Sequence, residues 1–114
     1  MKIDATNENS VLVLGLAGKF NIEEVTKFEE TAPLETLKSL KAVAIDFSEV
    51  EYIDSSALGS LIKMMNKAKN LGVEFNLYNM PQPILSIFKL AYLDKFFMIT
   101  TDVDLKAKYP QNKF

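Results

Sequence analysis

Apolar and polar positions along this chain fall into blocks whose period switches between strand-like and helix-like. Val11-Leu12-Val13-Leu14-Gly15-Leu16 is a near-continuous apolar run, the pattern of a strand covered on both faces. Ile3–Thr6 lies just before it, across the polar cluster Asn7-Glu8-Asn9-Ser10. That spacing predicts a short edge strand joined to the first run by an antiparallel hairpin. Gly18-Lys19-Phe20-Asn21 then breaks the run. Asn21 is placed to cap a helix from Ile22 to about Thr31, with Glu23 and Glu24 in the first turn, where the helix dipole favours them. Ala32-Pro33 ends that helix, and Leu34, Leu37 and Leu40 continue as a second helical piece.

From there strand and helix alternate. Val43–Phe47 reads as a buried strand, and Glu49–Ser56 after it as a loop. A helix from about Ala57 to about Leu71 puts Ala57, Leu58, Leu61, Ile62, Met65, Ala68 and Leu71 at spacings of three and four. Lys63, Asn66, Lys67 and Asn70 fall on its other face, and Gly72 is a natural stop. Val73–Tyr78 alternates strictly, as a strand with one more polar face does. Pro81 or Pro83 starts a helix through Ile84, Leu85, Ile87, Phe88 and Ala91. Phe96–Thr100 is a last short strand, Asp102 caps a final helix to about Tyr109, and residues 110–114 are expected to form a flexible tail. The order ββαβαβαβα predicts an α/β fold: a mixed, mostly parallel sheet of about five strands with helices packed on it and one antiparallel edge. No linker divides the 114 residues, so the expectation is one domain over 1–114.

Composition narrows the chemistry. The chain has no cysteine and no histidine. That removes disulfides, thiolate or imidazole metal sites, cysteine nucleophiles and histidine-based hydrolysis or phosphotransfer. A net charge of −2 lacks the basic footprint of a nucleic-acid binder. The most apolar stretch, around Ile84–Leu93, is interrupted by Ser86 and Lys89 and is too short to span a bilayer. Met1-Lys2-Ile3-Asp4 has no signal-peptide character, so the chain is expected in the cytoplasm. Asp46, Glu49, Glu51 and Asp54 form an acidic cluster in the sequence. A hard cation needs about six oxygen ligands in a concave site, so no metal site is expected there. No paired carboxylates in an apolar setting and no Gly-rich phosphate loop are evident, and no catalytic residue or cofactor is assigned.

The segment richest in chemistry is Asp54-Ser55-Ser56-Ala57, between a buried strand and an apolar helix. A serine hydroxyl there meets outward-pointing helix N–H groups. That place suits an N-cap, and it also suits a phosphate. Ser56 reads most simply as a first-turn residue.

Together with its surroundings, Ile45-Asp46-Phe47-Ser48-Glu49-Val50-Glu51-Tyr52-Ile53-Asp54-Ser55-Ser56-Ala57-Leu58-Gly59, this segment resembles the STAS domain, and more narrowly the bacterial anti-sigma factor antagonists. In that family a hydrophobic strand and an aspartate lead through a small loop to Asp-Ser-(Ser/Thr)-Gly-Leu-Gly. The resemblance covers nearly the whole chain. It implies a partner-switching regulator, not an enzyme. The unmodified protein would bind a GHKL-type serine kinase that doubles as an anti-sigma factor. Phosphorylation of Ser55 would release it, and a PP2C-type phosphatase would restore the serine. The implied partner surface comprises Asn21, Asp54, Ser56, Ala57, Ser60 and Lys63, with Ser60 and Lys63 on an outward helix face. Nucleic acid and direct membrane insertion are not part of this reading. The alternatives are a STAS subunit of a lipid-transport ABC complex or a stressosome-like scaffold, each with a permanent partner, and a nucleotide-binding regulator. Three positions depart from the family pattern. Ala57 stands where glycine is usual, and Asn21 stands where an aspartate is usual. Tyr92 stands at a helix end where glycine is usual, so that helix end is expected to differ.

Overall fold

Asn9 and Ser10 turn the predicted hairpin with left-handed backbones, φ 54° and 61°, the signature of a two-residue type I′ turn. On either side, β1 (Lys2–Glu8) and β2 (Val11–Phe20) pair antiparallel from Lys2↔Ala17 to Glu8↔Val11. The computed structural model describes residues 1–114 as a five-stranded sheet of order β1-β2-β3-β4-β5 with four α-helices. The other strands are β3 (Ala42–Ile53), β4 (Glu74–Tyr78) and β5 (Met98–Thr100), and β2 through β5 run parallel. The helices are α1 (Ile22–Thr31), α2 (Ser55–Asn70), α3 (Gln82–Leu90) and α4 (Asp102–Lys108), with a short 3₁₀ helix at Leu34–Ser39. The chain thus has the predicted fold class and element order.

Two strands outrun their apolar cores. β2 continues through Gly18-Lys19-Phe20, which the sequence pattern reads as a break. β3 continues through Ser48–Ile53, which it reads as a loop. The register explains both. Gly15 pairs with Asp46 but Ala17 with Glu49, and Gly18 pairs with Val50 but Lys19 with Tyr52. Each step adds one residue to β3, a pair of β-bulges that break strict alternation. β4 pairs only as far as Asp46. Beyond it β3 has one neighbour, and Glu49, Glu51 and Tyr52 stay exposed. Gly18 carries φ +106°, which an L side chain rarely adopts.

β4 differs in the opposite sense. Its predicted polar face is buried too: Phe75, Asn76, Leu77 and Tyr78 are all inside, and the Asn76 amide donates to the Val43 carbonyl at 3.2 Å. The cause is cover on both sides. α1, α2 and α3 supply Phe28, Leu61 and Phe88 to the main core over one face. On the other face Leu105 of α4 packs with Ala44 and Tyr78. In α2, Leu58, Leu61 and Met65 are buried as predicted and Ile62 is half-buried against the core. Met64 and Ser60 join the buried set, whereas Leu71 lies past the helix and is exposed.

The end of the chain and the end of one helix also depart from expectation. Residues 110–114 pack instead of hanging free. The buried Asn112 amide donates to the Glu8 carbonyl at 3.0 Å, and the Phe114 ring meets Tyr78 edge-on at 5.7 Å. At the end of α3, Tyr92 takes φ 57°. Its N–H donates to the Lys89 carbonyl at 3.0 Å, and the Leu93 N–H to the Phe88 carbonyl at 2.8 Å. This is the glycine-type Schellman closure, kept with a tyrosine in it. The paired hydrogen bonds hold a conformation that costs an L residue about 1 kcal/mol.

The α4 face carries a pH dependence of defined sign. Burial, with Asp46 and Asp102 nearby, pushes the Tyr78 phenol up. Burial and a hydrogen bond with Glu74 raise Tyr109 to about 12 from 10.0. The folded chain therefore holds these protons where the unfolded chain releases them. Stability is fully present below pH 10 and is lost as pH rises from there towards 12. In an alkaline titration, phenolate absorbance of Tyr109 should appear near pH 12 instead of 10, and that of Tyr78 should also be delayed. Normal titration of both in the folded chain would contradict this packing.

Candidate functional site

β2 and β3 end together: Phe20 pairs with Ile53, and the Asp54 N–H donates to the Phe20 carbonyl at 3.2 Å. This junction brings the start of α1 beside the start of α2, and Asp54 holds both. Its Oδ1 accepts the Ala57 N–H at 3.0 Å, and its Oδ2 accepts the Ile22 N–H at 3.0 Å. One carboxylate caps two helices. The capping role weighed for Ser55 therefore belongs to Asp54, because only a carboxylate has two oxygens to face two N-termini. Asn21 completes the α1 cap, its Oδ1 accepting the Glu23 N–H at 3.1 Å.

Ser55 is the first residue of α2 and is exposed. The Ala57 and Leu58 N–H groups both go to Asp54. The N–H groups of Ser55 and Ser56 are left facing outward with no acceptor in the chain, and helix N-termini favour negative charge. Ser56 is half-buried and Ala57 fully buried.

The remaining predicted site residues lie elsewhere. Ser60 does not face outward: it is 6% exposed, and its hydroxyl donates to Glu29 of α1 at 2.9 Å. Lys63 meets the same carboxylate at 3.2 Å. The Ser60 hydrogen bond is the largest influence on the Glu29 carboxyl; burial opposes it, and the hydrogen bond and charge of Lys63 add to it, so the carboxyl is held below its ordinary value. These three residues clamp α1 to α2. Asp46 accepts the Ser48 N–H at 2.9 Å inside the first bulge, and no three potential metal ligands converge anywhere in the chain.

The structure adds a surface that the sequence reading missed. Ser55 and Asp54 border an open groove of about 490 Å³ floored by Tyr52, Leu58, Ile87, Leu90 and Ala91. Leu90 is 82% exposed and Tyr52 47%. Large apolar groups gathered beside a polar, hydrogen-bond-ready rim mark an interaction surface. Leu90 ends an apolar helix, and Tyr52 sits among acidic residues. Each was visible in the sequence as an apolar residue out of place, but only the fold brings them together. Gly59 lies one turn below Ser55 on the exposed side of α2, where a Cβ would meet nothing within 4 Å.

Residues 2–106 match the family model of the STAS domain. Among solved structures, the anti-sigma factor antagonist SpoIIAA in its unphosphorylated form superposes with a TM-score of 0.78 at 14% identity, over 99% of this chain and 100% of that one. An anti-sigma factor antagonist from Mycobacterium paratuberculosis gives 0.80 at 20% identity, over 97% of this chain and 94% of that one. The Bacillus cell fate determinant SpoIIAA in its phosphorylated form gives 0.71 at 15% identity, over 95% and 99% respectively. At these identities the likeness is one of fold.

Proposed function

The chain belongs to the STAS domain family, and from that premise we propose that it is an anti-sigma factor antagonist that changes partners according to the phosphorylation of Ser55. The observation that carries this reading is the position of Ser55: exposed, first in α2, with free N–H groups beside it and an apolar groove at its side. The unmodified form binds a GHKL-type serine kinase that is also an anti-sigma factor. Tyr52, Leu90 and Ile87 supply the apolar contact. The Ser55 hydroxyl then receives the γ-phosphoryl group of ATP. A new O–P bond forms, ADP leaves, and the hydroxyl proton is released. A PP2C-type phosphatase hydrolyses the bond and resets the switch. No residue of this chain is assigned a catalytic role.

Electrostatics favours this division of labour. A phosphate adds about −1.5 to −2 charges. In the free protein it faces water and the positive end of α2, so the fold tolerates it. In a closed interface it lies next to the Asp54 carboxylate and loses its hydration, so the complex does not. Asn21, uncharged beside the site, is the one feature that favours a permanent partner in a transport complex or scaffold.

Incubation with ATP and a GHKL-type kinase from the same genome separates the two readings. The expected result is one added phosphate, mapped to Ser55 by mass spectrometry, and dissociation of the complex. Stable binding with no phosphate added would favour the permanent partner.

Gly59 offers an independent check on the docking face. Glycine inside a helix is about 1 kcal/mol less favourable than alanine, and the fold leaves room for a methyl group. Gly59→Ala should therefore raise stability by about 1 kcal/mol in urea unfolding while weakening kinase binding. Unchanged affinity would move the docking face off α2.

A further inference from the structure

At the end of the sheet away from Ser55, where β4 and β5 begin, an open groove of about 560 Å³ runs between the last turns of α2 and the sheet edge. Its walls are Met65, Phe75, Phe96, Phe97 and Met98. Phe96 is 46% exposed and Met98 60%, so large apolar groups face water here as they do near Ser55. Lys69 and Lys95 also line the groove, and neither takes part in any ion pair of the chain. The one carboxylate in the lining, Glu74, is already paired with Lys108. The groove therefore offers apolar walls and two uncompensated positive charges. It also borders a free strand edge, because β5 is the outermost strand. The Thr100 carbonyl turns inward to accept the Asn79 N–H at 3.2 Å. Backbone groups alternate along a strand, so the N–H and C=O of Ile99 point outward, away from β4.

We propose that this edge is a docking site for an extended segment of a partner protein, in which acidic residues alternate with apolar ones and which lies alongside β5. Strand addition uses what is present: free backbone groups for the main chain and a wall for alternate side chains. The two lysines select the charge of the segment. A small ligand needs a pocket that encloses most of its surface, and this groove is open along its length. A second copy of this chain would bring its own Lys69 and Lys95 to the same edge, and facing like charges oppose that pairing. The site lies at the opposite end of the parallel strands from Ser55, so its fate is independent of the phosphorylation reading.

The probe is a blocked, labelled peptide of roughly six residues, the usual strand length, alternating aspartate with valine. Its control carries lysine in place of aspartate. Saturable binding of the acidic peptide is expected, with amide shifts concentrated at Lys69 and Phe96–Thr100 and an affinity that falls as salt rises. The double variant Lys69→Glu, Lys95→Glu changes two exposed side chains and should weaken binding about tenfold or more. The basic control should not bind. The proposal is overturned by no saturable binding up to about 1 mM, by shifts centred on Ser55, or by an unchanged affinity of the double variant. Tighter binding of laurate in the same groove would assign it to a lipid carboxylate instead. Concentration-dependent shifts of β5 without peptide would assign it to a second copy.

Discussion

Asp54→Ala should destabilise the protein by about 2–3 kcal/mol, since a single cap is worth about 1 kcal/mol and a hydrogen bond to a charged group about 1.5–3. The side chain holds the Ala57 and Ile22 N–H groups, each at 3.0 Å, so its removal uncaps α2 and α1 together. Asp54→Asn is the informative companion. An amide has one acceptor oxygen, so it can keep one of the two bonds, while its NH₂ group would face the other N–H donor. It should therefore lose at least half as much as alanine does. Urea unfolding gives the totals, and amide exchange at Ile22 and Ala57 tells which helix start has opened. A loss below about 0.5 kcal/mol, ordinary for a surface substitution, would mean that the double cap contributes nothing. Acceleration at Ala57 alone would mean that α1 is held by Asn21 without help.

Ser55→Asp should leave folding nearly unchanged and weaken kinase binding by a few kcal/mol, a loss of about a hundredfold or more. The two measurements are decided by different surroundings. In the free chain the added carboxylate faces water at the α2 N-terminus, where a negative charge gains about 0.3–1 kcal/mol. In the complex it is buried beside Asp54 against a surface suited to a neutral hydroxyl. Ser55→Ala removes a hydroxyl that caps nothing in this structure and should remain bound through ATP addition. Calorimetric affinity and melting temperature, taken on wild type and both variants, test the pair of claims together. Equal binding by Ser55→Asp would sink the switch and leave the permanent-partner reading. Unfolding by Ser55→Asp would show that the α2 start cannot accept the charge at all.

Much of this architecture was legible before any coordinates, and the exceptions share a physical cause. The hairpin, the Asn21 cap and the core face of α2 were readable because each depends on residues a few positions apart. What failed depended on neighbours distant in sequence. The polar stretch Ser48–Tyr52 reads as loop by composition, yet β2 lends it a hydrogen-bonding partner. Asn76 and Tyr78 read as a polar face, yet α4 and Phe114 cover them. Ser60 was placed on the outer side of α2, but Glu29 of α1 takes its hydroxyl in a buried contact, while Lys63 reaches the same carboxylate from the exposed face. At the site, the Asp-Ser-Ser motif left a cap and a phosphate acceptor both open for Ser55, and the cap falls to Asp54. The reach of Asp54 to Ile22 spans 32 positions of sequence and leaves no local signal.

The two bulges in β3 have a consequence for how this chain can change length. Val43, Ile45 and Phe47 enter the main core at intervals of two, and then Val50 and Ile53 follow at intervals of three. Each bulge advances the side-chain phase by half a period. Together they make one whole period, so Ile53 regains the parity of Phe47 and delivers Asp54 to the helix junction. A deletion of one residue at either bulge removes that bulge, returns the segment there to strict alternation, and leaves Ile53 paired with Phe20 and Asp54 at the junction. The same deletion within Ala42–Asp46, where the pairing on both sides is regular, would turn the later side chains to the opposite face. Changes of length should therefore be absorbed at the two bulges and not in the regular half of the strand.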